Sequence, residues 1–169
     1  MKKLILIIGL ISLCLSSHGQ SIEKRYTSHL TDKGTIYFFR PKQLDRMTNM
    51  DAFSFDMSYL SKSDTVIVNC SLTVPEENIV KGVSLKNDIQ EVACYDVRML
   101  YRDVTKNGYV LRVTSKFPYS SIKSFFSNAS PLKFCFLLKD DSHCIATYKE
   151  SKWKKEQYQI TKIINSIDF

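Results

Sequence analysis

The sequence predicts a mainly β protein, either an antiparallel β-sandwich or a partly closed barrel, with one short internal helix and a C-terminal amphipathic helix. The main observation is a hydrophobic period of two, which is typical of strands with one buried face. It is clearest in residues 51–59 and 63–75. A helical period appears only near 120–130 and 151–167. A single sheet with both helices on one side is the competing architecture.

Residues 1–19 have the pattern of a secretory signal peptide. Lys2 and Lys3 precede an apolar run over residues 4–15, which is shorter than the roughly 20 residues of a membrane-spanning helix. Small residues before the predicted cleavage site, which follows Gly19, complete the pattern. The sequence therefore predicts a signal peptide over 1–19 and a single β-rich domain over 20–169.

Cys14 raises the alternative of a lipid anchor. Leu13 precedes it, whereas a lipid-attachment signal requires a small residue at that place. The sequence thus favours a protein that is soluble after export, in the bacterial periplasm or at the cell surface, with no transmembrane span after cleavage.

The basic excess is moderate. The chain has 24 Lys and Arg against 17 Asp and Glu, and the loss of Lys2 and Lys3 with the leader lowers the formal charge from +7 to about +5. Such a charge suits an anionic partner without specifying one. An exported protein rarely meets nucleic acid, so we expect another envelope protein or an anionic glycan instead.

The first strands are read from alternation. Residues 34–40 are rich in aromatic and β-branched side chains, and 51–59 and 63–75 alternate strictly, which predicts an antiparallel hairpin. A short strand is predicted at 83–87. The predicted buried positions of the hairpin are Phe53, Phe55, Met57, Tyr59, Val66, Val68, Cys70, Leu72 and Val74.

A second hairpin joins residues 97–105 and 109–117. A three-residue loop, Lys106-Asn107-Gly108, pairs Tyr101 with Val113 and keeps the apolar residues on one face. The predicted inward residues are Val97, Met99, Tyr101, Leu111, Val113 and Phe117. A two-residue loop with Asn-Gly at its centre would mix the faces.

The C-terminal third combines helices with a third hairpin. Ile122, Phe125, Phe126 and Ala129 predict a short helix with Ser120 as its N-cap. Residues 132–138 and 143–149 form a hairpin around Asp140, Asp141 and Ser142. Residues 151–167 form the longest helix, with an apolar stripe of Trp153, Ile160, Ile163, Ile164 and Ile167.

Four cysteines, Cys70, Cys94, Cys135 and Cys144, remain after cleavage. Cys70 and Cys144 share the inward phase, so a Cys70–Cys144 disulfide is compatible with the pattern in an oxidising compartment. Two small buried thiols that fill the core fit the pattern better, because a chain of this size does not need a staple.

The sequence contains no recognisable catalytic, cofactor or metal motif. His29 and His143 lie in no metal-ligand spacing, and no nucleophile elbow or glycine-rich phosphate loop is present. We therefore expect a non-enzyme with no cofactor. The alternative is an enzyme whose site is assembled from residues that show no sequence motif.

One group of residues points to binding. With the three-residue loop, Arg98 faces Lys116 and Arg102 faces Arg112 on the outer side of the second hairpin. Like charges in opposition are unfavourable, so the group either meets acidic neighbours or binds an anion. The plain alternative is a solvated strand face. We name Arg98, Arg102, Arg112 and Lys116 the basic hairpin patch.

The segments "GTIYFFRPK" and "SKWKKEQ" and the order of elements resemble a loose group of small exported bacterial β-rich proteins of unknown function. The resemblance lies in layout and implies no functional residue. With the missing motifs, it leads us to expect a non-catalytic exported binding or scaffolding domain of the bacterial envelope.

Overall fold

A computed structural model describes residues 26–39, 53–127 and 130–167. The predicted signal peptide, its cleavage after Gly19 and the lipid question at Cys14 lie outside these ranges. Within them the strands are β1 (Tyr26–Thr31), β2 (Gly34–Phe39), β3 (Ser54–Leu60), β4 (Thr65–Val74), β5 (Val80–Lys86), β6 (Glu91–Ala93), β7 (Asp96–Thr105), β8 (Gly108–Pro118), β9 (Lys133–Leu138) and β10 (His143–Thr147). The helices are α1 (Tyr119–Phe126) and α2 (Glu150–Ile167). Neither helix has the length and apolarity to cross a membrane.

The strands form two antiparallel sheets. Sheet 1 has six strands in the order β1-β2-β3-β4-β8-β7, and sheet 2 has four in the order β10-β9-β5-β6. The mainly β prediction is therefore confirmed, and the two sheets decide for a sandwich-like fold over a single sheet. The sequence reading missed β1 and β6, because β1 is mostly exposed and β6 has only three residues.

The core fills the space between the sheets. Each residue predicted to be buried in the first hairpin is buried, because β3 and β4 alternate without a break. Aromatic rings join the sheets: the ring centre of Phe134 in β9 lies 4.8 Å from Phe55 and 5.1 Å from Phe53. These contacts bury large apolar areas, which is the main source of stability in such a fold.

The turn between β7 and β8 differs from the prediction. Thr105 pairs with Gly108, so the loop has two residues, Lys106 and Asn107. Gly108 has a φ of 119°, and a Cβ there would lie 2.2 Å from the carbonyl oxygen of Val74. The glycine is thus required by backbone conformation and by close approach, rather than as the third residue of a loop.

A β-bulge at Leu100 reconciles this turn with the buried face. Met99 pairs with Val113, but Tyr101 pairs with Arg112, and the pairing shifts between them. The extra residue turns Tyr101 outward, where it is 48% exposed, so its predicted inward position is wrong. The other five residues predicted to face inward are buried or packed against the core. Regular alternation could not predict this, since a bulge changes phase within a strand.

The helices close one side of the core. α1 begins after Pro118, which provides no side-chain cap, so the predicted N-cap at Ser120 is wrong. The stripe of α2 is buried as predicted. Trp153 stacks on Tyr148 at 5.6 Å, and its indole NH donates to the carbonyl of Ser130 at 2.8 Å.

The third hairpin is paired two residues away from the predicted register. Cys135 lies opposite Ile145, whereas a loop of Asp140, Asp141 and Ser142 would place it opposite Thr147. The turn lies one residue earlier in the chain, since the Leu138 N–H donates to the carbonyl of Ser142 at 2.9 Å. A shift of two keeps every side chain on its face. The inward positions of Phe134, Phe136 and Ala146 are therefore unaffected.

Replacement of Phe134 by alanine tests the contact between the sheets. Phe134 is fully buried, so Phe134→Ala should lower the free energy of unfolding by about 3–5 kcal/mol. Urea unfolding followed by circular dichroism measures the change. Val104→Ala, at a position that is 78% exposed, is the control and should shift stability by less than about 0.5 kcal/mol. Equal effects of the two substitutions would contradict the assigned packing.

Candidate functional site

The main concave feature of the described chain is a groove of about 690 Å³ on the outer side of sheet 2. Its floor consists of small or apolar residues from β5, β6, β9 and β10: Gly82, Ser84, Ala93, Cys135, Leu137 and Ile145. Longer side chains rise around this floor: Lys81, Lys86, Glu91, Tyr95, Lys133 and His143. The concavity arises because small side chains occupy the centre of a sheet face whose margin carries long ones.

Two lysines lie directly opposite each other at one end of this groove. Lys86 in β5 pairs with Lys133 in β9 in the strand register. Each lysine has one acidic partner: Lys86 is 3.4 Å from Glu91, and Lys133 is 3.8 Å from Asp88. Like charges in opposition are unfavourable, and at this end of the groove each of the two opposed lysines is balanced by one exposed carboxylate.

Glu91 is fixed mainly by a hydroxyl. Ser84 Oγ donates to Glu91 Oε1 at 2.7 Å. This hydrogen bond lowers the pKa of Glu91 below its ordinary value, and Lys86 lowers the pKa further. Glu91 is therefore an anion at neutral pH, with one oxygen already engaged.

The structure divides the basic hairpin patch. Asp96, not Arg98, lies opposite Lys116, and Arg102 lies opposite Leu111 instead of Arg112. Both predicted like-charge pairs are therefore wrong. The bulge puts Arg102 on the same face as the buried Leu111, away from Arg112.

Three of the four patch residues have acidic partners. Arg102 forms an ion pair with Glu77, and Arg112 forms one with Asp56. Arg112 also donates to Ser71 at 2.9 Å, and Asn69 donates to Asp56 at 2.7 Å.

Lys116 lies 2.8 Å from Asp96, and this contact lowers the pKa of Asp96 and raises that of Lys116. These contacts support a solvated, internally neutralised face. Anion binding by the basic hairpin patch stays a prediction.

None of the four cysteines within the described ranges is in a disulfide, so the Cys70–Cys144 bridge is not formed. Cys70 is buried, and burial raises its pKa. Burial also raises the pKa of Cys94, Cys135 and Cys144. Thiols in this state are poor nucleophiles. Cys70 fills the core, as its strand phase predicts.

The groove brings together Glu91, Cys135 and His143, which the sequence reading did not connect. Among the residues that the structure describes, no group of three or more His, Cys, Asp or Glu is arranged to hold a metal ion. A nucleophile needs a base within hydrogen-bond reach. The raised pKa of the Cys135 thiol makes it a poor nucleophile in this position.

Sequence reasoning missed Lys86, Lys133 and Glu91 as a group because the β5–β9 pairing joins residues that are far apart in the chain. One signal was present: residues 134–138, "FCFLL", are apolar on both faces. Strands of this kind are usually covered on both sides.

No protein-family model, curated protein or solved structure matches the chain.

The hydrogen bond from Ser84 gives a pH prediction for Glu91. Because the folded-state pKa is lowered, this carboxylate contributes stability above its unfolded pKa of roughly 4.3, and the contribution is lost as the pH falls through the folded pKa. Ser84→Ala should raise the pKa of Glu91 and reduce this acid-side loss. An NMR titration of the Glu91 carboxyl carbon measures the change, with Ser58→Ala on sheet 1 as the control. Superimposable curves for wild type and Ser84→Ala would refute the assignment.

Proposed function

We propose that this protein is a non-catalytic binding domain of the bacterial envelope, which acts in the periplasm or at the cell surface after cleavage near Gly19. The observation that carries the proposal is the groove on sheet 2. Its volume of about 690 Å³ lies within the range of about 300–1,000 Å³ that is usual for ligand sites. A recessed floor of small and apolar residues is the form that such sites take.

The character of the polar groups in the groove supports binding over catalysis. The Cys135 thiol has a raised pKa, and the Glu91 carboxylate is held by Ser84. A nucleophile or a general base requires the opposite tuning. The lysines at the margin instead provide fixed positive charge, which suits the anionic partner class suggested by the sequence.

The proposed partner carries negative charge. An envelope protein with an acidic segment, or an anionic glycan, would meet the lysines at the end of the groove. The basic hairpin patch is the second candidate surface, but its internal ion pairs would compete with an incoming anion.

A tryptophan on the floor of the groove tests the proposal. Ser84→Trp should fill the space above β5 and abolish retention of the partner, whereas Ser58→Trp places the same side chain on the outer face of sheet 1 and should retain it. Both variants and the wild type are immobilised and exposed to solubilised bacterial envelope, and the retained components are compared by mass spectrometry.

The expected result is a component that the wild type and Ser58→Trp retain in equal amounts and Ser84→Trp does not. Thermal unfolding of each variant controls for loss of fold. Equal retention by all three proteins would refute the groove as the binding surface.

A further inference from the structure

Beyond Lys133, the central strand of the groove, β9, is apolar on both of its faces. Phe134 and Phe136 point into the core and are fully buried. Cys135 and Leu137 point the other way, are half-buried, and line the groove. A strand with one solvated face normally alternates with polar residues. The outer face of β9 therefore has the composition of a surface that is covered in use.

A positively charged end adjoins this apolar floor. Lys86 and Lys133 oppose each other across β5 and β9, and both side chains line the groove. Lys133 is too far from Asp88, at 3.8 Å, for a hydrogen bond. Glu91 is shared between Ser84 and Lys86. The lysines thus have partners that neutralise them loosely without covering the floor.

We propose that the groove binds a single-chain anionic amphiphile, with its carboxylate between Lys86 and Lys133 and its apolar chain over Cys135 and Leu137. This inference rests on the proposed function and narrows the class of its ligand. The two lysines lie at one end of the groove and the apolar floor extends away from them, which matches the charged head and apolar chain of such a molecule. From Lys86 to Gly82 the strand extends roughly 13 Å, which suits a chain of medium length.

A free amphiphile fits this arrangement better than a lipid headgroup at a bilayer surface. The floor is recessed below the lysine side chains, so contact with a headgroup alone would leave the apolar floor uncovered. Exposed ion pairs such as Lys86–Glu91 contribute little free energy. A ligand carboxylate can therefore displace them at a small cost in free energy. Glu91 itself repels the incoming anion.

Isothermal titration at neutral pH tests the proposal with decanoate, kept below its micellar concentration, as the probe. Decanol supplies the same chain without charge, and acetate supplies the charge without the chain. Decanoate should bind at least about tenfold more tightly than either. Lys86→Gln and Lys133→Gln should each remove most of the preference for decanoate over decanol. Lys106→Gln, in the β7–β8 turn outside the groove, is the matched control and should retain it.

Glu91→Gln should change the affinity for decanoate in a direction that a purely structural role of Glu91 would not predict. Removal of the competing carboxylate should tighten decanoate binding by a few-fold. Vesicles of phosphatidylglycerol provide the membrane arm, and the proposal expects decanoate to bind where vesicles do not.

Failure of decanoate to bind, equal affinity for decanol, or binding to vesicles alone would each overturn the amphiphile. The groove as a binding surface would still stand if Ser84→Trp abolished envelope retention. Loss of both results would overturn both proposals.

Discussion

The contact of Phe53 and Phe55 with Phe134 and Phe136 determines the rest of the structure. These rings come from β3 and its approach on one side and from β9 on the other, with centres 4.8–5.9 Å apart. They join two sheets that have no strand in common. Once the sheets are held in this way, strands such as β3, β4, β5, β8 and β9 have one face in the core, and their other face is free to differ in chemistry.

The outer faces of the two sheets differ in composition. On sheet 1, Asp56, Asn69, Ser71 and Arg112 bond to one another, so the face is polar and satisfied. On sheet 2, small and apolar residues lie beneath opposed lysines, whose ion pairs with Glu91 and Asp88 are longer, at 3.4 and 3.8 Å. The outer face of sheet 1 is therefore suited to contact with water. The groove on sheet 2 leaves apolar side chains partly exposed.

The sequence predicts which residues of a strand are buried, because burial depends on the local hydrophobic period. It does not predict which residues of two strands lie opposite each other, because that depends on the register of pairing. Val66 to Val74 alternate without interruption, so their burial follows from the chain alone. Arg102 does not, because one bulge at Leu100 moves it to the opposite face from Arg112. Opposition of like charges was predicted between β7 and β8 but occurs between β5 and β9. It involves Lys86 and Lys133, whose meeting depends on a pairing across nearly fifty residues of chain, and no local pattern contains that pairing.

Native-state hydrogen exchange tests most directly whether the aromatic contact makes the two sheets one cooperative unit. The account predicts that the slowest amides of β4 and β8 in sheet 1, and of β5 and β9 in sheet 2, exchange with the same free energy of opening. That value should equal the free energy of global unfolding from urea. Exchange of the β5 and β9 amides through a clearly smaller opening, with β4 and β8 still protected, would contradict a shared core.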